Sequence, residues 1–179
     1  QLGHIAAPYS GDGGDTWTQV HAEYIPNLAI SPDYANDQTF WGGSDFLHIF
    51  QDGGATWISH PVGEADYVLS LAVSPDYAND QTLFAGTDIG LYWSDNGGLD
   101  WTAVPEYAGL TISRLAISPQ WPAHSVLLVG TPQGVYRLLT ADLANGVIKE
   151  ASQGLAVMSA TTLALAPDGK IVVAGSVWT

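Results

Sequence analysis

The sequence repeats itself, and the repeat limits the folds open to it. Segments 28–43 (LAISPDYANDQTFWGG) and 71–86 (LAVSPDYANDQTLFAG) are nearly the same. Segment 115–130 (LAISPQWPAHSVLLVG) is a looser copy and 163–175 (LALAPDGKIVVAG) a shorter one. Their leading residues, Leu28, Leu71, Leu115 and Leu163, lie 43, 44 and 48 residues apart. The best-preserved unit, 71–101, breaks into short runs rich in β-branched and aromatic side chains, closed by Ser-Pro-Asp, Thr-Asp-Ile-Gly and Asn-Gly-Gly. Such runs between turn residues are strand signals. None has the length and 3.6-residue period of an ordinary helix.

A period of about 40–45 residues with four strands per unit is the mark of a β-propeller blade. One four-stranded sheet cannot bury both faces alone, so blades pack side by side. The fold class expected is all-β: a propeller of four-stranded antiparallel blades in a single domain, 1–179. Segments 28–60, 69–104 and 113–150 read as complete blades. Segment 1–20 reads as the back half of a blade and 162–179 as the front half. Joined, they would share one blade and close a four-bladed ring, protecting both sheet edges; the alternatives are a fragment of a larger ring and a dimer that pools two halves into eight blades.

Three hairpins carry a finer motif: SGDGGDTW (10–17), FQDGGATW (50–57) and SDNGGLDW (94–101). The first fits S-x-D-x-G-x-T-W throughout. The second has Phe50 for Ser; the third has Asn96 for Asp and Asp100 for Thr. Asp12, Asp52 and Asn96 suit caps on turn N–H groups. Gly14, Gly54 and Gly98 permit positive φ, and Ser10 and Ser94 open their turns. Trp17, Trp57 and Trp101 are expected to start the outer strand, largely buried between sheets. The motif resembles the Asp box of the BNR-repeat propellers, a superfamily that includes sialidases, xyloglucanases, the sortilin luminal domain and the photosystem II assembly factors. The resemblance implies a propeller and a structural role for the boxes; it does not single out a function, because these relatives do unrelated things.

Charge narrows the partners. The net charge is −14: residues 1–113 hold fifteen acids and no Lys or Arg, whereas 114–179 hold Arg114, Arg137, Lys149 and Lys170 against three acids. Nucleic acid is not an expected partner, since phosphate binding depends on Lys and Arg. No apolar run approaches the roughly 20 residues of a membrane helix, so no membrane insertion is expected. Without Cys there is no disulfide framework or thiolate metal site. The twin SPDYANDQT loops offer Asp33/Asp37 and Asp76/Asp80, pairs that fall short of the oxygen cage calcium takes. The five His lack HExxH-type spacing. No metal and no cofactor is expected.

In a blade with alternating strand directions, the boxes and SPDYANDQT loops share one rim. The opposite rim carries the second-to-third turns and the connectors. Binding residues concentrate on such loops, and this rim receives His21, Glu23, Tyr24, Asp45, Glu64, Asp66, Tyr67, Asp88, Glu106 and Tyr107. The three Arg that the resemblance would bring for a sialidase are not present; only Arg114 and Arg137 exist. No G-x-S-x-G elbow occurs, and no catalytic residue is assigned. The reading is a non-catalytic module, extracellular, periplasmic or on the cell surface, that binds a protein or associates with itself. The alternative is a xyloglucanase-like hydrolase or glycan binder, for which two of Asp45, Asp66, Asp88 and Glu106 would supply paired carboxylates.

Overall fold

A computed structural model describes residues 7–9, 14–16, 18–21, 24–123, 125–139, 148–150, 158–166 and 171–177. Three four-stranded antiparallel sheets follow one another along the chain. The first blade runs β3 (Asn27–Ile30), β4 (Phe40–Gly43), β5 (Leu47–Gln51), β6 (Thr56–His60). The second runs β7 (Val68–Val73), β8 (Leu83–Thr87), β9 (Leu91–Ser94), β10 (Thr102–Ala103). The third runs β11 (Arg114–Ile117), β12 (Val126–Thr131), β13 (Gly134–Leu139), β14 (Ile148–Glu150). Register repeats with the sequence: Ala29 faces Trp41, Ala72 faces Phe84 and Ala116 faces Leu128. These are propeller blades, and the described part of the chain is a partial propeller.

The core lies between blades. Trp41, Leu47 and Ile49 of the first blade pack with Leu83, Ala85 and Tyr92 of the second, and Leu71, Val73 and Trp101 lean on the same cluster. On its other face the second blade puts Ala72, Phe84 and Leu91 against Leu127, Val129 and Leu138 of the third. Alternate side chains of a central strand thus serve opposite interfaces, as the two-residue period of a strand dictates. Connectors repeat as well. Val68 N–H donates to Ser44 C=O at 2.7 Å, and Ile112 N–H donates to Thr87 C=O at 2.8 Å.

The SPDYANDQT loops each contain one helical turn, Tyr34–Asp37 and Tyr77–Asp80, stopped by a left-handed Gln38 or Gln81. Among the described residues no sheet joins the two terminal segments. β1 (Ala7–Tyr9) pairs with β2 (Thr18–His21), and β15 (Met158–Leu165) pairs with β16 (Ile171–Val177), as separate two-stranded sheets among the described residues. Finally, Trp57 is 47% exposed, not largely buried. Trp101 has a complete blade before it to lean on, whereas among the described residues only two strands precede the blade of Trp57. Trp17, Ser10 and Asp12 lie outside the described residues.

Candidate functional site: the connector rim

The rim of the boxes is occupied with holding itself together. In the second blade Ser94 Oγ accepts from the N–H groups of Asn96 (3.3 Å) and Gly98 (2.9 Å), and Asn96 Oδ1 accepts from Asp100 N–H at 3.0 Å. Gly97 and Gly98 hold φ of 76° and 94°, a region that side chains other than Gly rarely adopt. The box is fastened to its own blade where Gly97 N–H donates to Gln81 C=O (3.0 Å), and to the first blade where Trp41 Nε1–H donates to Gly97 C=O (3.0 Å). The first blade repeats the fastening from Gly53 N–H to Gln38 C=O.

The twin loops spend their acids in the same way. Asp80 accepts from Ser74 Oγ (2.7 Å) and Thr82 N–H (2.9 Å), and Trp121 Nε1–H of the third blade reaches it at 2.8 Å. Asp37 accepts from Ser31 Oγ and Thr39 N–H; Asp33 and Asp76 accept from Asn36 and Asn79. Between the loops of the first two blades lies a cavity of about 320 Å³ lined by Asp33, Asp37, Thr39, Tyr77, Ala78 and Gln81. Burial, and then the nearby charges of Asp37 and Asp80, push the Tyr77 hydroxyl pKa up to about 12. Among the described residues no three His, Cys, Asp or Glu converge as metal ligands.

The opposite rim is different. Tyr67 and Asp88 are brought together: Tyr67 N–H donates to Asp88 Oδ1 (3.1 Å), and Asp88 N–H donates back to Tyr67 C=O (3.2 Å). Thr111 Oγ1 donates to Asp88 C=O, which ties the next connector to the same turn. With its backbone held on both sides, the Tyr67 ring is nevertheless 59% exposed, and Tyr24 is 56% exposed. Asp45, Glu64, Asp66 and Glu106 are exposed. Asp45 accepts from Ser44 Oγ (2.7 Å), and that hydroxyl also contacts the buried His48 at 3.0 Å. His48 is therefore a packing histidine, its other ring nitrogen 2.8 Å from Ser59 Oγ.

Tyr107 does not belong to this surface. It is 0% exposed, edge-on to Tyr136 with ring centroids 6.2 Å apart, and part of the core between the second and third blades. A short 3₁₀ turn, Pro105–Tyr107, rotates it inward and leaves Glu106 outside. Burial first, then Tyr136 and Glu106, raises its hydroxyl pKa. His21 ends β2, and Glu23 lies outside the described residues. Phe46 and Ile89, at equivalent turn tips, are exposed apolar residues of this rim that sequence reasoning passed over. The residue type was visible, but turn tips are polar by default, so nothing marked these two as outward.

No family model matches this sequence, and no curated protein matches it. Solved structures do. One is the extracellular domain of a protein described as a one-component system of B. thetaiotaomicron, at 17% identity and a TM-score of 0.66, covering 90% of this chain and 21% of that one. Another is a GH74 enzyme of Niastella koreensis, at 20% identity and a TM-score of 0.68, covering 95% of this chain and 30% of that one. The chain therefore spans less than a third of the length of these structures, and what the likeness establishes is the fold: four-stranded blades of a partial propeller.

Proposed function

We propose that this chain is a non-catalytic propeller module of the Asp-box type that binds a protein partner through its connector rim, outside the cytoplasm. The observation that carries the reading is Tyr67. Its backbone is fixed by the two-way bonding with Asp88, yet its ring stands in solvent. A displayed aromatic on a fixed backbone suits a binding hot spot, because little backbone freedom is lost on contact and a Tyr side chain has few torsions to order. Tyr24, Phe46 and Ile89 extend the apolar part, and Asp45, Glu64, Asp66 and Glu106 supply charge around it. An aromatic centre with an acidic surround suits a basic protein surface. The extracellular domain among the similar structures favours the location.

The second reading, a carbohydrate-active domain, draws on the GH74 enzyme and on the same rim carboxylates. The bonding of Asp88 to the Tyr67 backbone argues against it as a catalytic acid, since that oxygen is already committed to a structural turn. A screen of the intact chain against basic, neutral and acidic proteins and soluble β-glucans separates the two. Binding of a basic protein, weakened more than about tenfold by Tyr67→Ser and weakened by salt, is the expected result. Hydrolysis of a β-glucan, lost in Asp66→Ala or Asp88→Ala, would replace this reading with the enzymatic one.

A further inference from the structure

One pair of box positions exchanges donor for acceptor between blades. In the first blade the third and seventh box residues are Asp52 and Thr56, and Thr56 Oγ1 donates to Asp52 Oδ2 at 3.3 Å. In the second they are Asn96 and Asp100, and Asn96 Nδ2 donates to Asp100 Oδ2 at 2.9 Å. The exchange sets an asparagine directly before Gly97. In an Asn-Gly pair the following backbone nitrogen can reach the side-chain amide, because glycine has no Cβ to hinder the approach. The closed fold holds both reacting groups in other bonds. Gly97 N–H donates to Gln81 C=O (3.0 Å), and Gly97 C=O accepts from Trp41 Nε1–H of the first blade (3.0 Å). Asn96 Oδ1 accepts from Ser94 Oγ (2.9 Å) and from Asp100 N–H (3.0 Å). Gly97 is buried, and a Cβ there would stand 2.8 Å from the Tyr77 hydroxyl.

We propose that Asn96–Gly97 is a latent deamidation site, kept shut by the joint between the first and second blades, and that its acid product undoes the box. When the joint opens, Gly97 N gives its proton to hydroxide and attacks Asn96 Cγ. The Cγ–Nδ2 bond breaks, the leaving nitrogen takes a proton from water and departs as ammonia, and a cyclic imide remains. Water then adds to either imide carbonyl and breaks that carbon–nitrogen bond, leaving aspartate or isoaspartate at position 96. The net exchange is one amide and one water for one carboxylic acid and one ammonia. Neither product fits the closed box. Aspartate lacks the Nδ2 donor, so a carboxylate oxygen meets the Asp100 carboxylate where the amide donated at 2.9 Å, and like charges so close repel. Isoaspartate adds a methylene to the backbone between Ser94 and Gly98, the span that Ser94 Oγ clamps. The first box carries an acid at the same position without conflict, because Thr56 supplies a donor in place of a second acid. The change is therefore one-way: an opening of the joint can leave a permanent mark, and the mark weakens the joint that held it off.

The test follows the conversion of amide to acid at position 96 of the full chain, by peptide mass spectrometry at mildly alkaline pH. Asn145–Gly146 is the same dipeptide and serves as the reference in denaturant. In guanidinium chloride the two sites should react at similar rates. In native buffer Asn96 should slow by at least about tenfold relative to denaturant, because reaction waits on opening. Trp41→Ala, which removes the bond from the first blade, should recover at least about tenfold of that rate. Urea below the unfolding transition gives the same reading on the unaltered chain: the rate at Asn96 should climb while circular dichroism stays native. The product is tested directly by Asn96→Asp, which should lower the urea midpoint. Adding Asp100→Thr rebuilds the pair of the first blade and should restore most of the loss. A native rate at Asn96 equal to that in denaturant, a rate that neither Trp41→Ala nor urea raises, an unchanged midpoint in Asn96→Asp, or no recovery on adding Asp100→Thr would each overturn the proposal.

Discussion

The first and second blades are near-copies in sequence, and they differ in what lies beside them. Both twin loops make the same five side-chain bonds, among Ser31, Asp33, Asn36, Asp37 and Thr39 in one and Ser74, Asp76, Asn79, Asp80 and Thr82 in the other. In each box a glycine N–H, of Gly53 or Gly97, donates to the carbonyl of the left-handed Gln of its own blade, Gln38 or Gln81. The inner strand and the box Trp do not agree: Leu71, Val73 and Trp101 are packed, whereas Leu28, Ile30 and Trp57 are about half exposed. The boxes themselves diverge where Ser94 is replaced by Phe50. Ser94 clamps two turn N–H groups. Phe50 cannot accept a hydrogen bond; it is buried and stacks on Phe40 with ring centroids 4.5 Å apart and planes 5° from parallel. A repeat thus encodes local bonding in each unit, while burial is settled by the neighbour.

The sharpest way to break this comparison is to remove the residue that joins the two blades. Trp41 is fully buried, stands edge-on to Tyr77 and donates to the box of the next blade. Trp41→Ala should cost about 3–5 kcal/mol in denaturant unfolding, the range for large aromatic truncations. A loss near that of an ordinary surface change would show that the blades do not stabilise one another. Next come the box tryptophans. Trp101→Ala removes a ring packed on the first blade together with its Nε1–H bond to Gly98 C=O at 3.1 Å, and should cost about 2–3 kcal/mol. Trp57→Ala should cost about 1 kcal/mol or less. Equal losses would mean that the neighbour does not decide the worth of a box Trp.

The box glycines give a finer contrast. A Cβ on Gly97 would stand 2.8 Å from the Tyr77 hydroxyl at a φ of 76°; on Gly53 the nearest atom, the Tyr34 hydroxyl, would be 3.7 Å away at a φ of 67°. Both substitutions pay for the left-handed backbone, and only Gly97→Ala adds a close contact. About 2 kcal/mol is expected for Gly97→Ala and about 1 kcal/mol for Gly53→Ala, read as the shift in unfolding midpoint at constant slope.

What could be read from the sequence is what is local. Strand runs, turn residues and box glycines act within a few positions, so the blades were legible in SPDYANDQT and its copy, whereas the helical turn and the bonds that fasten Asp37 and Asp80 were not. Ring closure was not, because pairing β16 with β1 requires the two chain ends to meet, and no local signal reports that. The exposure of Trp57 was hidden for the same reason: its residue type matches Trp101, and what separates them is the neighbour, since Trp101 leans on the cluster shared with the first blade. On the rim, sequence order placed the turns correctly but could not tell which way a connector turns. A 3₁₀ turn sends Tyr107 inward and the Asp88 bonds hold Tyr67 outward, although both were read as equivalent rim tyrosines.

The smallest effect expected is a pH dependence belonging to the joined face alone. Tyr77 lies where the first and second blades meet, beside Asp37 of one and Asp80 of the other, and its pKa is pushed from 10.0 up to about 12. In the unfolded chain its hydroxyl would ionise near 10. Between these values the folded chain holds a proton that the unfolded chain has released, so stability falls as pH rises. Below about pH 10 the contribution is fully present, and it is lost as pH climbs towards 12. Because Tyr77 is only partly buried, solvent screens much of the interaction, and the change should be a slope rather than a cliff. Tyr77→Phe, which keeps the ring on Trp41 and removes the titrating group, should flatten the fall in urea midpoint between about pH 9.5 and 11.5, from roughly half a unit below that window into its upper half. An unchanged fall would assign the alkaline sensitivity to other tyrosines and leave the joined face with packing as its only distinction from the open one.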